Sequence, residues 1–166
     1  VFPFLFVILS FSLIAQENFT IADYTTAIRL DPDYALAYKN RGNAYFNLGE
    51  YNTAIADYTS AIRLDPDFAF AYFNRGIAYG NLGKYNTAIS DYTTAIRLDP
   101  DDAEAYNNRG IAYGNLGEYN TAIADYTSAI RLDPNGAFAY LWRGVVYSHL
   151  GEYKSAIADY TSAIRL

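Results

Sequence analysis

Every 34 residues this chain repeats itself. Tyr38, Tyr72, Tyr106 and Tyr140 stand one period apart, and so do Pro32, Pro66, Pro100 and Pro134. The block Tyr51 to Pro66 (YNTAIADYTSAIRLDP) returns almost unchanged at Tyr85 and Tyr119, and returns shortened at Tyr153. A period of this length means one supersecondary unit stacked on copies of itself, because such a unit cannot bury its apolar face alone. We set the frame as 35–68, 69–102, 103–136 and 137–166, with a half repeat at 16–34, and count positions 1 to 34 in each unit. All 18 tyrosines except Tyr34 then fall at positions 4, 11, 17 and 24. Of 11 glycines, only Gly80, Gly114 and Gly136 lie off positions 8 and 15.

The hydrophobic spacing inside a unit is helical. Tyr38, Gly42 and Tyr45 stand at i, i+4 and i+7, and Ala54, Tyr58, Ala61 and Ile62 at i, i+4, i+7 and i+8. Leu48-Gly49 ends the first helix, since glycine takes the left-handed position past a helix end. Asp65-Pro66 ends the second, because the residue before proline is pushed out of the α region. The pattern predicts helices at 35–48, 51–64, 69–82, 85–98, 103–116, 119–132, 137–150 and 153–165, plus one at about 17–30, with no sheet. The acidic pairs around the prolines (Asp31/Asp33, Asp65/Asp67, Asp99/Asp101) read as stop-and-cap residues, with Asp33, Asp67 and Asp101 near the start of the next helix. Asp23, Asp57, Asp91, Asp125 and Asp159 are expected to pair with the position-7 arginines Arg41, Arg75, Arg109 and Arg143.

An aromatic at position 4, Gly at 8, Tyr at 11, Ala at 20, an aromatic at 24, Ala at 27 and Pro at 32 resembles the tetratricopeptide repeat (TPR). In the first full unit these are Tyr38, Gly42, Tyr45, Ala54, Tyr58, Ala61 and Pro66. Two positions depart from the family pattern: tyrosine replaces the usual tryptophan at 4, and arginine replaces leucine at 7. The resemblance implies an all-α, right-handed superhelical solenoid of helix–turn–helix repeats whose first helices line a concave groove. It also implies that the chain holds a protein or peptide segment there.

Several chemistries are excluded. Cysteine is absent and His149 is the single histidine, so no thiolate or multi-histidine metal site and no cysteine nucleophile is available. The Asp pairs flank a proline and lack the glycine-centred turn of a calcium loop. Gly-Ile-Ala-Tyr-Gly at 76–80 lies mid-helix and is no phosphate loop. A net charge of −6 repels nucleic acid. The expectation is a non-enzymatic chain with no metal, no cofactor and no nucleic-acid partner.

The two ends read differently from the repeat. Residues 1–15 (VFPFLFVILSFSLIA) are uncharged and short of the roughly 20 apolar residues that span a bilayer. They fit the apolar region of a secretory signal or anchor, or else a degenerate cap helix packed on Asn18–Leu30. The first alternative implies export or a membrane tether, the second a cytoplasmic location. At the other end, Ile157, Ile164 and Leu166 are expected on the rim of the last second helix. They offer a surface for homo-oligomers, and with it the alternative role of an end-to-end, membrane-tethered scaffold.

What remains is the face opposite the core stripe, at positions 2, 6, 9 and 13. Position 6 carries Asn40, Asn74, Asn108 and Trp142; position 13 carries Asn47, Asn81, Asn115 and His149; position 9 begins with Asn43 and continues with Ile77 and Ile111. Such an amide ladder is expected to donate to and accept from a peptide backbone. Phe70, Phe73, Ile77, Ile111, Phe138, Leu141 and Trp142 are expected as apolar anchors. Lys39, Asn43 and Asn74 match half of a family motif that grips a peptide's terminal carboxylate. Glu104 and Asn108 stand where the family has its other basic residues.

Overall fold

A computed structural model describes residues 20–166. The segment 1–15 and the start of the half repeat lie outside them. The described helices are α1 (Ile21–Leu30), α2 (Ala35–Asn47), α3 (Tyr51–Leu64), α4 (Ala69–Asn81), α5 (Tyr85–Leu98), α6 (Ala103–Asn115), α7 (Tyr119–Leu132), α8 (Ala137–His149) and α9 (Tyr153–Arg165). No strand occurs among the described residues, and no described helix is long and apolar enough to cross a membrane. Each helix packs on its neighbours in the chain. The first helices α2, α4, α6 and α8 also touch in succession. Contacts this local make a one-dimensional stack.

The stops work as the residue types require. Leu48, Leu82, Leu116 and Leu150 cap the first helices, one residue earlier than the pattern predicts. Gly49, Gly83, Gly117 and Gly151 follow with φ of 77°, 70°, 77° and 76°. In the first unit the Gly49 N–H donates to Phe46 and the Glu50 N–H to Tyr45, the paired bonds that close a helix on a left-handed glycine. The acidic pairs act as stops but not as caps: Asp31, Asp65 and Asp99 end the second helices. Asp31, Asp65 and Asp99 accept the backbone N–H of Asp33, Asp67 and Asp101 and thereby hold the proline turn. Asp33, Asp67 and Asp101 cap nothing with their side chains; of the first helices only α6 has a side-chain cap, from Asp102.

The core is built from small residues under one large ring. Ala54, Ala88 and Ala122 are fully buried, and Tyr58, Tyr92 and Tyr126 are 1–3% exposed. Each ring lies on a glycine of the paired helix. A Cβ on Gly42, Gly76 or Gly110 would fall 2.7–2.8 Å from Cε1 of that tyrosine. Position 8 is glycine because the ring occupies the place of a side chain.

Every unit also carries an ion pair more deeply buried than expected. Asp57, Asp91, Asp125 and Asp159 are 5–6% exposed. Each takes two bonds from its arginine, as in Arg75 Nε and Nη2 to Asp91 at 2.8 Å each. The remaining Nη1 reaches back to a threonine of the previous unit, Arg75 to Thr59 at 3.0 Å. The guanidinium lies over the position-4 tyrosine, 5.6 Å from the Tyr72 centroid. Arginine at position 7 thus joins two units and occupies the half-buried tyrosine at 4. Asp23 has a different role: it forms a capping box with Thr20 at the start of α1.

Candidate peptide-binding groove

Successive first helices do not close on one another completely. Between α2 and α4 a hollow of about 220 Å³ is lined by Asn43, Phe46, Asn47, Tyr58, Asn74 and Ile77. Between α4 and α6 a second, of about 200 Å³, is lined by Ile77, Gly80, Asn81, Tyr85, Tyr92, Asn108, Ile111 and Asn115 among others. Between α6 and α8 a third, of about 150 Å³, is bounded by Ile111, Gly114, Asn115, Tyr119, Tyr126, Trp142, Val145 and His149. Ile77 and Ile111 each wall two neighbours, so the three form one file along the first helices.

The structure therefore gathers Asn43, Asn47, Asn74, Ile77, Asn81, Asn108, Ile111, Asn115 and Trp142 as expected. Lys39, Asn40, Phe70 and Phe73 do not line these hollows. Phe73 is a core residue, 8% exposed, with its ring 6.1 Å from Tyr92. It belongs to one buried cluster with Tyr92 and Ala95 of the paired helix and Ala105 of the next unit. Phe70, by contrast, is 60% exposed. Phe138 and Leu141 are exposed too, and they border a separate apolar hollow with Tyr160, Ala163 and Ile164 at the α8–α9 end. Ile157, Ile164 and Leu166 reach solvent there, as the spacing predicts. Trp142 packs edge-on against Phe138, and its indole N–H is buried without a partner among the described residues. Burial lowers the pKa of the Lys39 ammonium, which makes no ion pair among the described residues.

The amides of the ladder are oriented by their own helices. Nδ2 of Asn81, Asn108 and Asn115 donates to the carbonyl four residues back (Ile77, Glu104 and Ile111), each at 2.9 Å. A carboxamide oxygen cannot make that bond, so the orientation of these amides is determined, and each is left with its oxygen and the second of its two N–H groups. In the first hollow the amides serve each other: Asn43 Oδ1 accepts from Tyr58 Oη at 2.9 Å and from Asn74 Nδ2 at 3.0 Å. Asn43 and Asn74 thus tie α2, α3 and α4 together.

The phenols are the contributors that helical spacing assigned to the core. Tyr58, Tyr92 and Tyr126 are buried as rings, yet their edges reach the hollows. Burial, with a nearby aspartate in each case, raises their pKa values, so the hydroxyls stay protonated. In the third hollow Tyr119 stacks on His149, centroids 5.7 Å apart and planes 5° from parallel.

Helix pairs in a file, glycine stops and a first-helix groove define a tetratricopeptide repeat array, and the chain belongs to that family. A TPR repeat model matches residues 20–49, 42–83 and 81–117, and tetratricopeptide repeat models match 103–135 and 126–158. Among solved structures, one of MamA is similar with a TM-score of 0.83 and 28% identity, over 87% of this chain and 85% of that one. The first TPR of Spaghetti (RPAP3), solved bound to the HSP90 peptide SRMEEVD, has a TM-score of 0.70 and 34% identity, over 73% of this chain and 96% of that one. The Arabidopsis OM64 TPR domain has a TM-score of 0.68 and 32% identity, over 69% and 95%. Comparison with curated protein sequences gives no match.

Proposed function

We propose that this chain is a non-enzymatic interaction module that holds an extended segment of a partner protein along its first helices. The observation that carries this is the file of three hollows, one per junction, the second and third edged by Asn81, Asn108 and Asn115, each of which has an amide oxygen and one N–H beyond its bond to its own helix. An extended backbone presents N–H and C=O groups at regular intervals, and such amides meet both whatever the side chains are. The similar RPAP3 domain, with a peptide bound, supports the same use of the fold. The half clamp of Lys39, Asn43 and Asn74 is weaker support here. Two of its three members already bond within the chain, and Glu104 stands where a cation would be needed.

The test is selection of random nonapeptides on the full chain, followed by titration against Ile111→Asp. Ile111 walls two hollows and is half-buried against Tyr126 and Val146, so a carboxylate there disrupts both, and a circular dichroism melt of the variant checks that the helices survive. Selected peptides should lose at least about tenfold in affinity, or about 1.4 kcal/mol. Absence of any peptide that depends on Ile111 refutes the reading.

A further inference from the structure

Positions 9 and 12 of the repeat change together. They are Asn43 and Phe46 in the first unit, Ile77 and Gly80 in the second, Ile111 and Gly114 in the third. Asn43 supplies the first junction with its acceptor: Oδ1 takes the Tyr58 O–H and an N–H of Asn74 Nδ2. Phe46 packs on the buried cluster that holds the Tyr58 ring. Isoleucine accepts no hydrogen bond, and glycine covers nothing. A Cβ on Gly80 would meet only the Tyr92 hydroxyl, at 3.7 Å, and on Gly114 only Val146 Cγ2, at 4.0 Å. Both are ordinary contacts, and alanine is the better helix former. These two glycines neither make room for a ring, as those at position 8 do, nor take positive φ, as those at position 15 do.

The second and third junctions are therefore left with donors. The Tyr92 and Tyr126 hydroxyls have no hydrogen-bond partner among the described residues. Their side chains are buried, 3% and 1% exposed, and each borders a hollow. Asn108 has no asparagine at 9 to bond, as Asn74 has, and turns back onto the Glu104 carbonyl. Asn81, Asn108 and Asn115 each keep one N–H and an oxygen. In the third hollow Trp142 adds a buried indole N–H without a partner among the described residues. No aspartate, glutamate, lysine or arginine lines either hollow.

Resting on the groove reading above, we infer that the second and third hollows each receive a side-chain carboxamide, glutamine or asparagine, from the bound segment. Its oxygen takes the place that Asn43 Oδ1 fills in the first junction and accepts from the phenol. Its NH2 group donates to an oxygen that Asn81, Asn108 or Asn115 leaves over. Ile77, Ile111 and Val145 wall the path of its apolar stem. Other groups lack one half of this match. A carboxylate finds no cation, faces the amide oxygens and adds to a net charge of −6. Lysine and arginine leave the phenol O–H unmet, and an aliphatic side chain leaves every donor unmet. A main-chain amide has the same groups, but it runs along the groove, and a side chain is what enters a hollow between two helices. Successive first helices approach within 8 Å at Cα, which corresponds to axes about 8–10 Å apart. Residues i and i+3 of a polyproline II segment lie on one face about 9 Å apart, so one segment serves both hollows.

The experiment titrates the full chain with labelled Gly/Ala octapeptides carrying two glutamines, two glutamates or two methionines at i and i+3. Glutamate and methionine keep the length of glutamine and change its end. The glutamine peptide should bind at least about tenfold tighter than either of the others. Tyr92→Phe removes one O–H and should weaken it about threefold to tenfold. Ile77→Asn with Gly80→Phe gives the second junction the residues of the first, where Tyr85, Asn108 and Ile111 stand as Tyr51, Asn74 and Ile77 do. This double variant should weaken the glutamine peptide at least about tenfold. Gly80→Ala should raise the melting temperature by a few degrees. Circular dichroism melts check that the variants fold, and Tyr92→Phe decides if the double variant does not. Equal binding of the glutamate or methionine peptide means that water alone fills the hollows and overturns the inference. Tyr92→Phe without effect overturns it too. If peptides from the random selection depend on Ile111 but are not enriched in glutamine or asparagine, this inference fails and the groove reading stands. If no peptide from either source binds, both fail.

Discussion

The Arg75–Asp91 pair is the most exacting test of how the units are joined, because arginine at this position departs from the family pattern. Asp91 is 5% exposed, and both its oxygens are taken by Arg75 at 2.8 Å. Asp91→Leu leaves a guanidinium whose remaining contacts are Thr59 and the Tyr72 ring. Breaking a buried pair from one side costs about 3–5 kcal/mol. The Arg75 side chain is 17% accessible, so part of its charge finds water and the lower end, about 3 kcal/mol, applies. Arg75→Met strands the more deeply buried carboxylate and should cost about 4 kcal/mol. Changing both removes both charges, and the double variant should lie within about 1–2 kcal/mol of the parent. The coupling energy from the cycle then amounts to several kcal/mol, well beyond that of an exposed pair.

Urea unfolding of the four proteins gives these values, with equal slopes required before midpoints are compared. Salt separates the alternatives. A pair at the surface loses its coupling between about 0.05 M and about 0.5 M NaCl, whereas a buried one keeps most of it. If Asp91→Leu costs less than about 1 kcal/mol, or if its cost vanishes at high salt, the arginine is a surface ornament and the units are held by apolar packing alone.

Two further outcomes follow from the tyrosine core. Gly76→Ala puts a methyl 2.7 Å from Tyr92 Cε1; overpacking of about 1–3 kcal/mol outweighs a helix gain of about 1, so the urea midpoint should fall, in contrast to Gly80→Ala on the next turn. The raised pKa values of Tyr58, Tyr92 and Tyr126 make the stability they contribute complete below the unfolded value of about 10, with loss setting in as the pH rises past it. Each phenol steepens that loss by about 1.4 kcal/mol per pH unit, and Tyr92→Phe should remove about that much from the slope measured by urea titration from about pH 10 to about pH 12.

The repeat made the architecture legible because its signals are local. Gly49 and its three equivalents end helices through backbone conformation, and Pro66 does so through sterics, so neither needs tertiary knowledge. The first helices end one residue before the pattern, at Leu48 and its equivalents, where the cap is still in the α region or close to it, and α1 starts at Ile21 behind its Thr20 cap rather than at about 17. Asp23 shares the position of the paired aspartates but has no arginine at position 7 of its own unit, and Thr20 is its partner instead.

The groove was legible as a face but not as chemistry. Helical spacing puts Asn81 and Asn115 outward, yet it cannot say that their Nδ2 groups turn back onto Ile77 and Ile111. Which part of each amide the fold consumes is therefore known only once the rotamers are. Phe73 failed for the opposite reason: its position holds Lys39, Phe73, Asn107 and Leu141 across the units, and no single burial state fits all four. Helical spacing places the tyrosines at 24 on the core stripe, where the rings of Tyr58, Tyr92 and Tyr126 are buried, while the far edge of each ring reaches a hollow. Gly80 and Gly114 carried the one sequence signal for the hollows, since they stand off the glycine pattern of an otherwise regular repeat. A residue that breaks a repeat without serving the fold marks where one unit differs in what it can hold.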